Sequence, residues 1–149
     1  MAEAELQFVV IGGHAVAAHG YERATRDVDI VFSTDRENCE RFAELLRRLD
    51  ASVRAADLPA PEGRITGEWL TAGGHFVFAT EHGLLDALSW IAGLDYAALD
   101  SRALTAELAD GTQLRICSYD DLVALKKAAD RPRDREDLRE LAALRESDG

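Results

Sequence analysis

The run Asp27-Val28-Asp29-Ile30-Val31-Phe32 constrains this chain more than any other segment. Its β-branched and aromatic residues read as a strand. On a strand, residues two apart point the same way. Val28, Ile30 and Phe32 therefore form the natural core face, and Asp27 and Asp29 share the other. Their Cα atoms then stand roughly 6–7 Å apart. Two ionised carboxylates so placed on a half-buried strand repel one another. A cation between them removes the conflict, and oxygen donors without Cys or His select a hard ion, Mg²⁺ or Mn²⁺. Such an ion keeps positions open for substrate phosphates. The plain alternative is a solvated acidic pair on an exposed strand face.

The preceding segment favours the first reading. Leu6 to Ile11 is a short apolar run that reads as a buried strand, and Gly12-Gly13 ends it. His14 to His19 then looks like a short helix closed by Gly20. Free backbone N–H groups at a helix start can hold a phosphate, and glycine lets the backbone come close to it. An ordinary turn is the plain alternative here. A phosphate cradle and a metal pair on neighbouring strands together make a nucleoside triphosphate site.

The rest of the chain supplies mixed α and β elements. Ser33-Thr34-Asp35 offers a helix N-cap, and residues 36–49 follow a helical pattern with Phe42, Leu45, Leu46 and Leu49 on one face. Ser52 to Ala55 reads as a short strand, and Asp57 to Gly63 as loop. Arg64 to Leu70 and His75 to Ala79, around Ala72-Gly73-Gly74, read as a β-hairpin. Gly83 to Trp90 fits strand or helix. Leu104 to Leu108 and Gln113 to Cys117 flank Asp110-Gly111, a strong hairpin turn. Ser118 caps a helix from about Tyr119 to Ala129, Pro132 interrupts, and a last helix runs from about Arg133 to Arg145. Trp69, Phe76, Phe78 and Trp90 read as core. The fold class expected is α+β (or α/β), a mixed β-sheet with helices packed on it. With 149 residues, one domain is expected, residues 118–146 packing on the sheet as helices.

Composition narrows the function. Hydrophobic residues make up 47% and charged residues 30%, as in a soluble protein. No apolar run approaches the ~20 residues of a membrane helix, so no membrane partner is expected. The acidic start and two widely spaced cysteines, Cys39 and Cys117, point to a cytoplasmic protein with reduced thiols. The net charge of −11 disfavours a broad nucleic-acid footprint. Lys126, Lys127, Arg131, Arg133, Arg135 and Arg139 still make a local basic face able to hold a phosphate or part of an RNA.

Gly-Gly, thirteen residues, then Asp-Val-Asp among apolar residues resembles the signature of the nucleotidyltransferase superfamily, the DNA polymerase β-like fold. Arg23-Ala24-Thr25-Arg26-Asp27-Val28-Asp29 is similar to the version in small bacterial members, among them the toxins of abortive-infection-type toxin–antitoxin systems. The segments 118–126 and 131–138, a helix with a lysine, a basic turn and Asp-x-x-Asp-Leu, resemble that group as well. The likeness spans roughly residues 6–32 and 113–141. It departs at Gly13, where many members carry Ser.

The resemblance implies a metal-dependent transfer of a nucleoside monophosphate from an NTP such as ATP to an acceptor hydroxyl. The acceptor is open between RNA (a tRNA end), a protein and a small molecule, and the likeness to the toxins implies an antitoxin partner. It implies a third carboxylate on a later strand, for which the sequence offers Asp86, as metal ligand or general base with Asp27 and Asp29. If residues 83–91 are instead a helix, Asp86 lies on its wet side, sharing a face with His82. Gly12, Gly13, Thr25, Arg26 and Lys126 are the implied nucleotide and phosphate contacts. Lys126 and Lys127, Arg23 and His14 each also read as surface residues, and Asp134 and Asp137 as acids favoured at a helix start. The competing function is a catalytically inactive module of the same fold that binds a nucleotide or a partner protein.

Overall fold

The computed structural model describes residues 5–22, 25, 27–62 and 64–148. Strand β1 (Phe8–Ile11) runs directly into helix α1 (Gly12–Ala18), and β2 (Val28–Phe32) returns antiparallel beside β1. Helix α2 (Arg36–Arg48) starts at Asp35, whose carboxylate accepts a hydrogen bond from the Asn38 N–H. Next come β3 (Ser52–Ala56), α3 (Gly67–Thr71), β4 (His75–Thr80) and β5 (Gly83–Leu88). A two-residue ribbon, β6 (Trp90–Ile91) with β7 (Leu94–Asp95), leads into α4 (Tyr96–Arg102). The chain closes with the hairpin β8 (Leu104–Glu107) and β9 (Gln113–Ile116), then α5 (Tyr119–Ala129) and α6 (Pro132–Asp148).

Among the described residues, seven strands form one mixed sheet in the order β3-β4-β5-β2-β1-β9-β8. The β2–β5 and β1–β9 pairs are parallel and the remaining pairs antiparallel. The α+β class expected from the sequence is the one observed. Register assigns the faces. Ile30 and Phe32 share their face with Ala87, Phe76 and Phe78, and all five are buried. Helices α2 and α3 cover this face. The Phe42 ring packs 5.3 Å from Phe32, and the Trp69 ring 4.8 Å from Phe76, both edge-on. Ile11, Asp29 and Asp86 lie in register on the opposite face.

Three expectations need correction, and one open alternative is settled. The Arg64–Ala79 hairpin does not form: residues 67–71 are helix α3, and β4 pairs with β3 and β5. Thr66 caps that helix by accepting from the Trp69 N–H at 3.2 Å. Gly67 lets it sit on α2, since a Cβ there would lie 2.9 Å from the Glu40 Cα. Residues 83–88 are strand, so Asp86 does not share a helix face with His82. Trp90 is 61% exposed, because β6 has left the sheet, and it is no part of the core. Pro132, read as an interruption, is the first residue of α6, where its missing N–H costs nothing. Among the described residues no helix is long and apolar enough to cross a membrane.

Candidate active site

The β1–β2–β5 strip positions three of the predicted residues. Asp29 on β2 is the direct register partner of Asp86 on the adjacent parallel strand β5. Asp27 immediately precedes β2. Burial pushes the Asp29 carboxyl up to about 6, and the negative charges of Asp86 and then Asp27 push the same way, against Lys126 and Arg131. Asp86 and Asp27 are thus within electrostatic reach of Asp29, as are two cations, Lys126 of α5 and Arg131 of the turn between α5 and α6.

Gly12 explains how Asp29 fits. Its φ is +69°, a conformation other residues rarely adopt, and a Cβ on it would collide with the Asp29 carboxylate. The first glycine of the pair thus clears the space into which Asp29 points. The N-cap residue of α1 is Ile11, whose apolar side chain cannot accept from the leading backbone N–H groups of the helix. Gly13 is buried one residue further on.

Asp86 is held from the other side. Its Oδ1 lies 2.8 Å from His75 Nε2 on β4. The His75 main chain is itself fixed: its N–H donates to Asp57 Oδ2 at 3.0 Å, and the adjacent Gly74 N–H donates to Ser89 Oγ at 2.8 Å. The sequence reading passed over His75 because it placed β4 in the wrong hairpin. Correct pairing sets His75 opposite Leu88, on the same face as Asp86.

The C-terminal helices bring the cations. His19 at the end of α1 bonds through Nε2 to the Cys117 carbonyl at 2.9 Å, and the His19 and Tyr119 rings meet edge-on. This ties α5 to α1. The lysine pair is split: Lys127 is exposed, whereas Lys126 is buried with its Nζ 3.1 Å from Asp134 and 3.0 Å from Asp137. Both acids are buried, so they serve as more than helix-start charges. Burial opposes ionisation of Asp134, but bonds from Arg131 and Lys126 outweigh it and hold its carboxyl down at about 2. Arg131 binds Asp134 at 2.7 Å through Nε, yet its side chain is 68% exposed. That bond, with the charges of Asp134, Asp29 and Asp137, raises the Arg131 pKa. Arg131 is thus a solvent-facing cation within electrostatic reach of the acidic strip.

Thr25 is half-buried just ahead of Asp27, and His14 is exposed on α1. Arg23 and Arg26 lie outside the described residues. Cys39 and Cys117 are free and buried. Among the described residues no three His, Cys, Asp or Glu side chains are gathered closely enough to be a ready metal cluster. Asp27 and Asp29 offer carboxylate oxygens, and Asp86, bound to His75 through Oδ1, keeps Oδ2 to offer. That donor set fits Mg²⁺, which commonly takes one or two carboxylates and completes its shell with phosphate oxygens and water. A polar cleft of about 490 Å³ lined by Thr34, Thr71, Ser89, Trp90 and Asp95 opens beyond the end of β5 and does not include the three acids.

The sequence matches no family model and no curated protein. Solved structures do match. The lincosamide antibiotic adenylyltransferase LnuA, solved with lincomycin, superposes with a TM-score of 0.66 at 14% identity, over 95% of this chain and 89% of that one. ANT(2'')-Ia, in complex with adenylyl-2''-tobramycin, gives 0.58 at 17% identity, over 95% and 80%. A provisionally assigned nucleotidyltransferase from Thermotoga maritima gives 0.58 at 13% identity, over 96% and 88%. The chain therefore has the nucleotidyltransferase fold.

Proposed function

We propose that this chain is a metal-dependent nucleotidyltransferase, moving a nucleoside monophosphate from an NTP to a hydroxyl of a small-molecule acceptor. The observation that carries the reading is Asp29. A carboxyl held up at about 6 by burial and by Asp86 and Asp27 is a site short of positive charge. The fold shared with nucleotidyltransferases supports the same chemistry. A divalent cation there supplies Lewis-acid stabilisation of the charge that develops on phosphate oxygens.

The chain's own residues then have distinct tasks. Asp27 and Asp29 hold the cation. Arg131, Thr25, Arg26 and the Gly12-Gly13 backbone receive the triphosphate. Lys126 acts through its field on Asp29 and by fixing Asp134 and Asp137. Asp86 takes the proton of the acceptor hydroxyl as the acceptor oxygen bonds to the α-phosphorus. The α–β phosphoanhydride bond breaks and pyrophosphate leaves.

For the acceptor, a net charge of −11 favours a neutral or cationic small molecule over RNA. The two antibiotics in the neighbouring structures, lincomycin and tobramycin, are small polyhydroxylated molecules of that kind. A protein acceptor, an antitoxin partner and a cytoplasmic location belong to the same proposal at one further remove. Incubation with each α-labelled NTP, Mg²⁺ and, in parallel, tobramycin, lincomycin, total RNA and casein tests it. Label on a small molecule supports the reading. Label on RNA or protein replaces the acceptor assignment. Nucleotide binding without label transfer to any acceptor, water included, leaves the inactive module.

A further inference from the structure

The geometry points to His75 as the positioning residue for Asp86, a role that rests on the transfer chemistry proposed above. Asp86 and Asp29 are register partners on adjacent parallel strands, so two carboxylates start from backbones roughly 5 Å apart. Left free, Asp86 would swing away from Asp29 to escape its charge. The bond from His75 Nε2 to Oδ1, at 2.8 Å, fixes that oxygen and leaves Oδ2 unengaged among the described residues. A base with one free oxygen in one orientation meets an acceptor hydroxyl in a defined geometry, which is what a proton transfer needs.

His75 is built for this. A half-exposed histidine on a strand ordinarily samples several rotamers, and its ring would be a poor guide. Here three bonds fix the start of β4: His75 N–H to Asp57 Oδ2, Gly74 N–H to Ser89 Oγ, and Ser89 N–H to the Gly74 carbonyl. Gly73 and Gly74, with φ of +75° and +115°, allow the tight entry that brings Asp57 and Ser89 so close. A carboxylate only accepts, so Nε2 carries the hydrogen whether the ring is neutral or charged. The role depends on that donor and not on a change of protonation.

A merely structural cross-strand pair would add modestly to stability and nothing to turnover. The experiment separates the two on the full chain. His75→Ala should lower kcat about tenfold to a hundredfold with the NTP KM unchanged, as for other residues that orient a reacting group. His75→Gln, which keeps an N–H donor near the Nε2 position, should recover most of it. In the protein without nucleotide or metal, long-range ¹H–¹⁵N correlation spectra should show hydrogen on His75 Nε2, and Asp86→Ala should move that signal. Full kcat in His75→Ala, equal losses in His75→Ala and His75→Gln, or a His75 signal indifferent to Asp86→Ala overturns the role. Transfer by the wild-type protein with an unimpaired His75→Ala variant sinks this role alone. A wild-type protein that transfers nothing sinks the functional reading, and this role with it.

Discussion

Asp29 and Asp86 face each other across the one parallel pair at the centre of the sheet, β2 with β5. Each has a different partner. Asp29 points into the space that Gly12 leaves by lacking a Cβ, while Asp86 is bound by His75. The consequence is asymmetry: one acid is engaged by a histidine, and the other is left short of positive charge.

That shortage has a sign. The folded value of about 6 for Asp29 lies above its ordinary 3.8, so the folded state favours the protonated acid. Stability from this group is fullest below pH 3.8 and is lost as pH rises through 6. Asp29→Asn should therefore be more stable than wild type at pH 8, by about 1–2 kcal/mol after allowing for partial exposure, and little changed at pH 4. Urea unfolding at the two pH values checks it. Adding Mg²⁺ at pH 8 should raise the wild-type Tm and leave that of Asp29→Asn unmoved.

Gly12→Ala should damage both fold and function. The positive φ costs about 1–3 kcal/mol for a residue with a side chain. The new methyl group also displaces the Asp29 carboxylate, and a shift near 1 Å can cost about a hundredfold in rate. Thermal unfolding and a transfer assay measure the two effects separately.

The buried Lys126–Asp134–Asp137 cluster should behave as a structural unit. Lys126→Met takes the buried ammonium away from two buried carboxylates and should cost about 3–5 kcal/mol, far more than Lys127→Met on the exposed side. Denaturant midpoints of the two variants settle the comparison.

Much of this was legible in the sequence because parity and turn chemistry are local. Strand β2, the Asp110-Gly111 hairpin and the Ser118-capped helix follow from residues within a few positions of one another. Asp86 was ambiguous because Gly83–Leu88 is a short apolar run buried among neighbours, where a two-residue period and a helical period look alike. Helix α3 was missed because its decisive feature is non-local, the seat that Gly67 finds on Glu40 of α2. The same error hid His75, whose relation to Asp86 exists only once β4 and β5 are paired. Likewise Lys126 looked like an edge lysine until α6 laid two acids against it.

Arg131 should report on the nucleotide. Arg131→Ala removes an exposed guanidinium that the reading assigns to the triphosphate, at the cost of two side-chain bonds to Asp134. The NTP KM should rise about tenfold, the worth of one charge-assisted hydrogen bond, with kcat less affected. Steady-state kinetics at fixed Mg²⁺ decide it.

The most direct measurement compares wild type with Asp29→Asn in transfer of α-labelled NTP to an acceptor in Mg²⁺. The account predicts labelled acceptor and released pyrophosphate from the wild type, and a loss of at least about a thousandfold in the variant. Transfer at the wild-type rate by a folded Asp29→Asn protein would contradict it.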